Sequence, residues 1–149
     1  MNNKNEEKKL TNETKIKMRG HHLFCETISN HEGKNVWCRE FCINMAKYQA
    51  QMRSNDKQVI EIVYTCGDTC GYCTNNENGK CRLYDFEPGD NGIDIRVLHR
   101  LSYKVGQEIT FGEIKKRVRE AYGKELPEMC FTECGLSEIL ECAKGLREL

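Results

Sequence analysis

Seven of the ten cysteines in this 149-residue chain fall into two short, turn-rich stretches. The first, TCGDTCGYCTNNENGKC, places Cys66, Cys70, Cys73 and Cys81 within residues 65–81. The second, MCFTECGLSEILECAKGL, carries Cys130, Cys134 and Cys142. Thiolates so spaced can converge on a metal held roughly 2.3 Å from each sulfur. Cys70-Gly71-Tyr72-Cys73 can wrap an ion in a tight turn, and Cys81 follows after a polar loop with Asn78-Gly79 as its turn. The fourth ligand stays open: Cys66, or a cysteine of the second stretch. In one continuous helix Cys134 and Cys142 would lie roughly 12 Å apart along the axis. Joint ligation therefore requires a break near Gly135 or a helix that begins only at Ser137. Cys130 and Cys134, at i and i+4, can share a site even within a helix.

The remaining candidates are weighed against ordinary structural roles. Cys38 and Cys42 sit beside an apolar helical stripe and read as small buried hydrophobes. His21 and Cys25 would share one face of a helix at i and i+4, which could turn both toward a metal or cofactor, with His22 beside them. The plainer reading makes His21 and His22 core or capping residues. A thiol-based enzyme using Cys25 is a third reading, since an imidazolium nearby lowers a thiol pKa. Neither an orienting partner nor an oxyanion hole is legible for it. Cys66-x3-Cys70-x2-Cys73 has the spacing of radical S-adenosylmethionine enzymes, but the 76 residues after Cys73 read as helices, not the βα barrel such enzymes need.

These cysteines must be positioned by few elements. Residues 1–16 are rich in Asn, Lys and Glu without apolar periodicity and are expected to form a disordered polar arm. Residues 17–149 are expected to form one metal-binding domain. A short helix is predicted over 18–30 and a second over 37–53, where Phe41, Met45, Tyr48 and Met52 make one stripe. Val59–Val63 is the strand candidate, and Pro88 to Gly92 mark a loop. Ile95, Leu98 and Leu101 share a helical face. Thr110 and Glu113 form a capping box for a helix to Tyr122 with Phe111, Ile114, Val118 and Ala121 buried. The expected fold is small, α+β and mostly helical, with one or two short strands and two cysteine lobes organised around metal.

Composition supports that picture. Only 38% of residues are hydrophobic, cysteines included, and thin cores in small chains are commonly stapled by disulfides or metal. The amino terminus lacks an apolar run, so a cytoplasmic location is expected, where thiols stay reduced. With 23 basic and 23 acidic residues, the zero net charge argues against a nucleic-acid binder. No apolar run is long enough for a bilayer.

Arg19-Gly20-His21-His22-Leu23-Phe24-Cys25 resembles the R-x-H-H-L-L-C opening of the DUF1284 family of small bacterial and archaeal proteins. The likeness continues through Gly33, Lys34, Asn44-Met45 and Val59–Val63 into Asp68-Thr69-Cys70-Gly71-Tyr72-Cys73 and Gly79-Lys80-Cys81. It resumes at Asp94, at Val97-Leu98 and in the C-terminal cysteine lobe. The resemblance implies iron–sulfur binding with no established activity. It marks Cys25, Cys70, Cys73, Cys81, Cys134 and Cys142 as ligands, joined by Cys130. Cys66 falls where that pattern has no fixed cysteine, and Leu136 stands where an aromatic is usual.

Two functions from different classes follow. One is an iron–sulfur protein, a 4Fe-4S cluster favoured, serving electron transfer or redox sensing with a redox protein partner. His21 and His22 would then stand around the ligands or supply an unusual ligand themselves. The other is a structural zinc protein whose metal supplies folding energy and whose role is partner binding. In both, the chain is a module rather than an enzyme in its own right.

Overall fold

In the computed structural model, residues 15–81 and 92–149 are described. The chain opens with strand β1 (Ile16–Arg19) and turns directly into helix α1 (Gly20–Ile28). The single helix expected over 18–30 is thus a strand followed by a helix. Ile16 and Met18 point into the core while Lys17 faces out, an alternation too short to announce a strand by itself. Of the predicted arm, residues 1–14 lie outside the described part; Ile16 is buried in β1.

Helix α2 (Arg39–Arg53) begins two residues later than the sequence suggested, capped by the Cys38 sulfur, which accepts from the Phe41 N–H. Its Phe41, Met45 and Met52 are buried, with Tyr48 packed at the margin. Strand β2 (Val59–Val63) runs parallel to β1, pairing Ile16 with Ile60 and Met18 with Ile62. Strand β5 (Glu108–Thr110) completes the sheet antiparallel to β2, in the order β1-β2-β5. The buried face carries Ile16, Met18, Ile60, Ile62 and Ile109. On the outer face Lys15 spans Glu61 and Glu108.

Between β2 and the next helix lies the first cysteine segment. A 3-10 turn (Asp68–Cys70) leads to a hairpin of β3 (Asn76–Glu77) and β4 (Lys80–Cys81). Its turn is Asn78-Gly79, both left-handed, φ 51° and 87°, the conformation such hairpins require. The segment docks on the start of β1 through the Lys17 N–H, which donates to Asp68 at 2.8 Å. The loop expected from Pro88 lies outside the described residues up to Gly92.

Helix α3 (Ile93–Leu101) and helix α4 (Phe111–Tyr122) follow, the latter capped by Thr110 as the sequence predicts. In α4, Tyr122 takes the buried place expected for Ala121, which stays half-buried. Cys130–Cys134 form one wide π-helical turn that ends at Gly135, left-handed at φ 66°. The chain then turns into helix α5 (Cys142–Arg147). The break at Gly135 is the one the two cysteines would need.

Helix α1 is the hub: every residue but Cys25 is buried, as in a helix enclosed on all sides. It packs against α3, α4 and α5 and against β1. Two glycines let α1 approach its helical neighbours closely. A Cβ on Gly20 would sit 2.6 Å from the Asp94 carbonyl oxygen in α3, and one on Gly145 only 1.7 Å from the Ile28 carbonyl oxygen. The whole is a small, mostly helical α+β domain around one hydrophobic core. Among the described residues no helix is long and apolar enough to cross a membrane.

Candidate metal centre

The two cysteine stretches and α1 meet at one mostly apolar cavity of about 90 Å³. Cys66, Cys70, Cys73 and Cys81 come from the first stretch, Cys134 from the second and Cys25 from α1; all six line it. Arg19, His21, His22, Glu26, His31 and Trp37 also reach the wall. Cys130 and Cys142 do not line the cavity; both are buried in the core. Of the seven cysteines expected as ligands, the fold therefore brings Cys25, Cys70, Cys73, Cys81 and Cys134 to one space. Cys66 joins them, although it was not among those seven. None of the ten cysteines is in a disulfide.

Burial is the main force on Cys25, Cys70, Cys130 and Cys142. It pushes Cys70 up to about 12, helped by the neighbouring Cys66. It raises Cys25 well above the ordinary thiol value, with Glu26, Cys134, Cys130 and Cys142 adding to the effect. Cys130 rises to about 11 and Cys142 to about 12 for the same reasons. Such thiols keep their protons at neutral pH and are poor nucleophiles, which weighs against a thiol enzyme built on Cys25. Metal ligation instead displaces thiol protons.

The histidines are held by specific partners. Asp94, in the first turn of α3, accepts from the His21 backbone N–H at 2.8 Å and lies 2.5 Å from His21 Nδ1 through its Oδ1. Its Oδ2 accepts from Arg19 Nε at 2.9 Å and a terminal guanidinium nitrogen at 2.7 Å. Burial alone would raise the Asp94 carboxyl, but His21 and Arg19 together outweigh it and hold it well below the usual carboxylate range. His22 Nδ1 lies 2.9 Å from Thr69 Oγ1 and 3.9 Å from Cys70 Sγ. Burial first, then the nearby His21 and Arg19, depress His22 far below the ordinary imidazole value, so it is neutral at pH 7.

Behind Cys25 lies a buried polar cluster. Gln49 Nε2 reaches Glu26 Oε2 at 3.2 Å and the Ser29 carbonyl at 2.9 Å, and Gln49 Oε1 accepts from the His31 N–H. Burial lifts Glu26 to about 8 against the opposing pull of Arg53 and Gln49. His31 is pushed down to about 4, again chiefly by burial. Glu26 Oε2 and His31 Nδ1 lie 3.6 Å apart, and burial disfavours the charged form of both.

Three participants escaped the sequence reading. Asp94 appeared there only as part of a resemblance; its place in the first turn of a helix gave no hint that it faces His21. Cys38, read as a buried hydrophobe, caps α2 and donates to the Tyr72 carbonyl at 3.1 Å, tying α2 to the first cysteine segment. Cys42 is fully buried, as expected. Trp37 lines the cavity with a left-handed backbone, φ 64°, and 46% of its surface exposed. A bulky residue in that region is an outlier with a local cost.

As they stand, no three of the described His, Cys, Asp and Glu side chains form a group that could hold a metal. By kind the donors fit one: six thiols and three imidazoles around one cavity are a set suited to iron–sulfur or zinc. Residues 37–139 match the family described as a protein of unknown function, DUF1284, and the chain belongs to that family. The match begins after the Arg19–Cys25 opening and ends before Cys142. No curated protein and no solved structure matches this chain.

Proposed function

We propose that this protein binds an iron–sulfur cluster in the thiol cavity and serves electron transfer or redox sensing. The observation that carries the proposal is the convergence of six cysteines, from three separate parts of the chain, on a single apolar space. Cys25, Cys70, Cys73, Cys81 and Cys134 would be its ligands, with Cys66 beside them. A bound cluster would supply one-electron chemistry, a four-iron cluster being the favoured type. The chain's own residues do the rest. Apolar walls limit water, His22 stands within reach of the Cys70 sulfur, and the Arg19–Asp94 pair fixes the start of α1. Trp37 and Tyr72, both well exposed, give the cavity side an apolar surface for a redox protein partner. Ten thiols suit a reducing compartment, so a cytoplasmic location belongs to the same proposal.

Metal analysis with a visible spectrum, on protein purified without oxygen, tests this. Iron and sulfide in comparable amounts with broad visible absorption are expected. Stoichiometric zinc without colour would replace the cluster by a structural site. Cys70→Ala and Cys73→Ala should each strip the metal; full metal occupancy in both variants would refute the assignment to this cavity.

A further inference from the structure

We infer that His21 is itself a metal ligand, through Nε2, and that Asp94 is the residue that prepares it for that role; the inference rests on the cavity metal proposed above. His21 lines the cavity, four residues before Cys25 on the same helix, so both can face one ion. Its Nδ1 lies 2.5 Å from Asp94 Oδ1. A carboxylate oxygen at that distance accepts, so Nδ1 carries a proton, and Nε2 is the nitrogen that a metal would take. A carboxylate behind the ring is the usual partner of a ligating histidine, orienting it and raising its basicity.

Asp94 is in turn prevented from rotating. Its Oδ2 holds two Arg19 nitrogens, and its Oδ1 also accepts the His21 backbone N–H. Gly20, with the Asp94 carbonyl oxygen 2.6 Å from where a Cβ would be, lets α1 and α3 lie close enough for this. Imidazole, carboxylate and guanidinium therefore form one rigid unit at the cavity wall. His22 has no such arrangement. Its Nδ1 meets a threonine hydroxyl, which can donate or accept and so fixes no tautomer. The two adjacent histidines thus differ in role: His21 binds the metal, and His22 packs edge-on against it at 4.4 Å while touching the Cys70 sulfur. Replacing one thiolate by an imidazole raises the potential of an iron–sulfur centre.

The test needs no destabilising variant. Protein grown with ¹⁵N-histidine, loaded and reduced, should show in pulsed EPR a nitrogen coupling that changes with the isotope. For a zinc-loaded protein, X-ray absorption should show a light scatterer near roughly 2.0–2.1 Å beside sulfur at about 2.3 Å. The nitrogen signature should persist in His22→Gln and vanish in His21→Gln. Asp94→Asn should keep the fold by circular dichroism yet lower metal affinity roughly ten- to a hundredfold. A loaded protein with sulfur ligands alone, or a nitrogen signal that survives His21→Gln, overturns the inference while leaving the metal centre intact. A wild-type protein that binds no metal overturns both.

Discussion

Gly145→Ala is the substitution for which local and tertiary physics give opposite signs. In an isolated helix alanine is better than glycine by about 1 kcal/mol. In the fold, an alanine Cβ would lie 1.7 Å from the Ile28 carbonyl oxygen, where ordinary contact starts at 3.4 Å. The helices must therefore separate by about the difference, 3.4 − 1.7, or 1.7 Å. The obstacle is backbone, so no rotamer change relieves it. Overpacking of this kind costs roughly 1–3 kcal/mol and more where nothing can move. With a backbone obstacle the upper end of that range, about 3 kcal/mol, applies; less the propensity gain of about 1 kcal/mol, a net loss of about 2 kcal/mol is expected, a fall in Tm of roughly 4–8 °C for a chain this size. Gly112→Ala is the comparison, because its Cβ would meet Asp56 at a mild 3.1–3.2 Å. Urea denaturation of both variants and wild type, at equal metal load, measures the effect. A Gly145→Ala protein as stable as wild type, or no worse than Gly112→Ala, would show that α1 and α5 do not pack as described. Since α5 follows the lobe bearing Cys134 and α1 bears Cys25, metal content should fall in the same variant.

Three further outcomes are expected. The buried Tyr103 hydroxyl has no hydrogen-bond partner among the described residues, so Tyr103→Phe should leave stability unchanged or raise it by up to about 1 kcal/mol; a loss above that range in denaturant would mean an unseen partner. Burial lifts the Tyr122 phenol from 10.0 to about 12. The folded state thus holds its proton more tightly, and the associated stability is full below pH 10 and lost as pH rises toward 12. Tyr122→Phe should flatten that alkaline decline in thermal scans, and an unchanged slope would count against the burial. Cys42→Ala should cost stability without touching metal content, since among the described residues the Cys42 sulfur exchanges hydrogen bonds with the Val36 backbone; loss of metal on analysis would make it part of the site.

Local chemistry made several elements legible. Thr110 and Glu113 start α4 because a hydroxyl can satisfy an orphan N–H within one turn, whatever the rest of the chain does. Asn78-Gly79 turns the hairpin because those residue types tolerate left-handed backbone. β-branched Val59–Val63 is a strand, and Gly135 interrupts the last cysteine stretch, for equally local reasons. The cysteine spacings raised the expectation of metal chemistry, since thiolates so spaced can converge on one ion.

What only the tertiary structure decided is which distant groups meet. Strand β1 exists because Ile16 and Met18 pair beside Ile60 and Ile62, and four residues carry too little alternation to show it alone. Cys25 and Cys134 face the cavity with Cys66, Cys70, Cys73 and Cys81, while Cys130 and Cys142 turn into the core; their spacing is silent on that division. Asp94 finds His21 and Arg19 because Gly20 lets α3 lie against α1. Sequence periodicity encodes contacts within a turn or a strand. Contacts between elements depend on how α1 is enclosed, and that follows from the balance of burial over the whole domain.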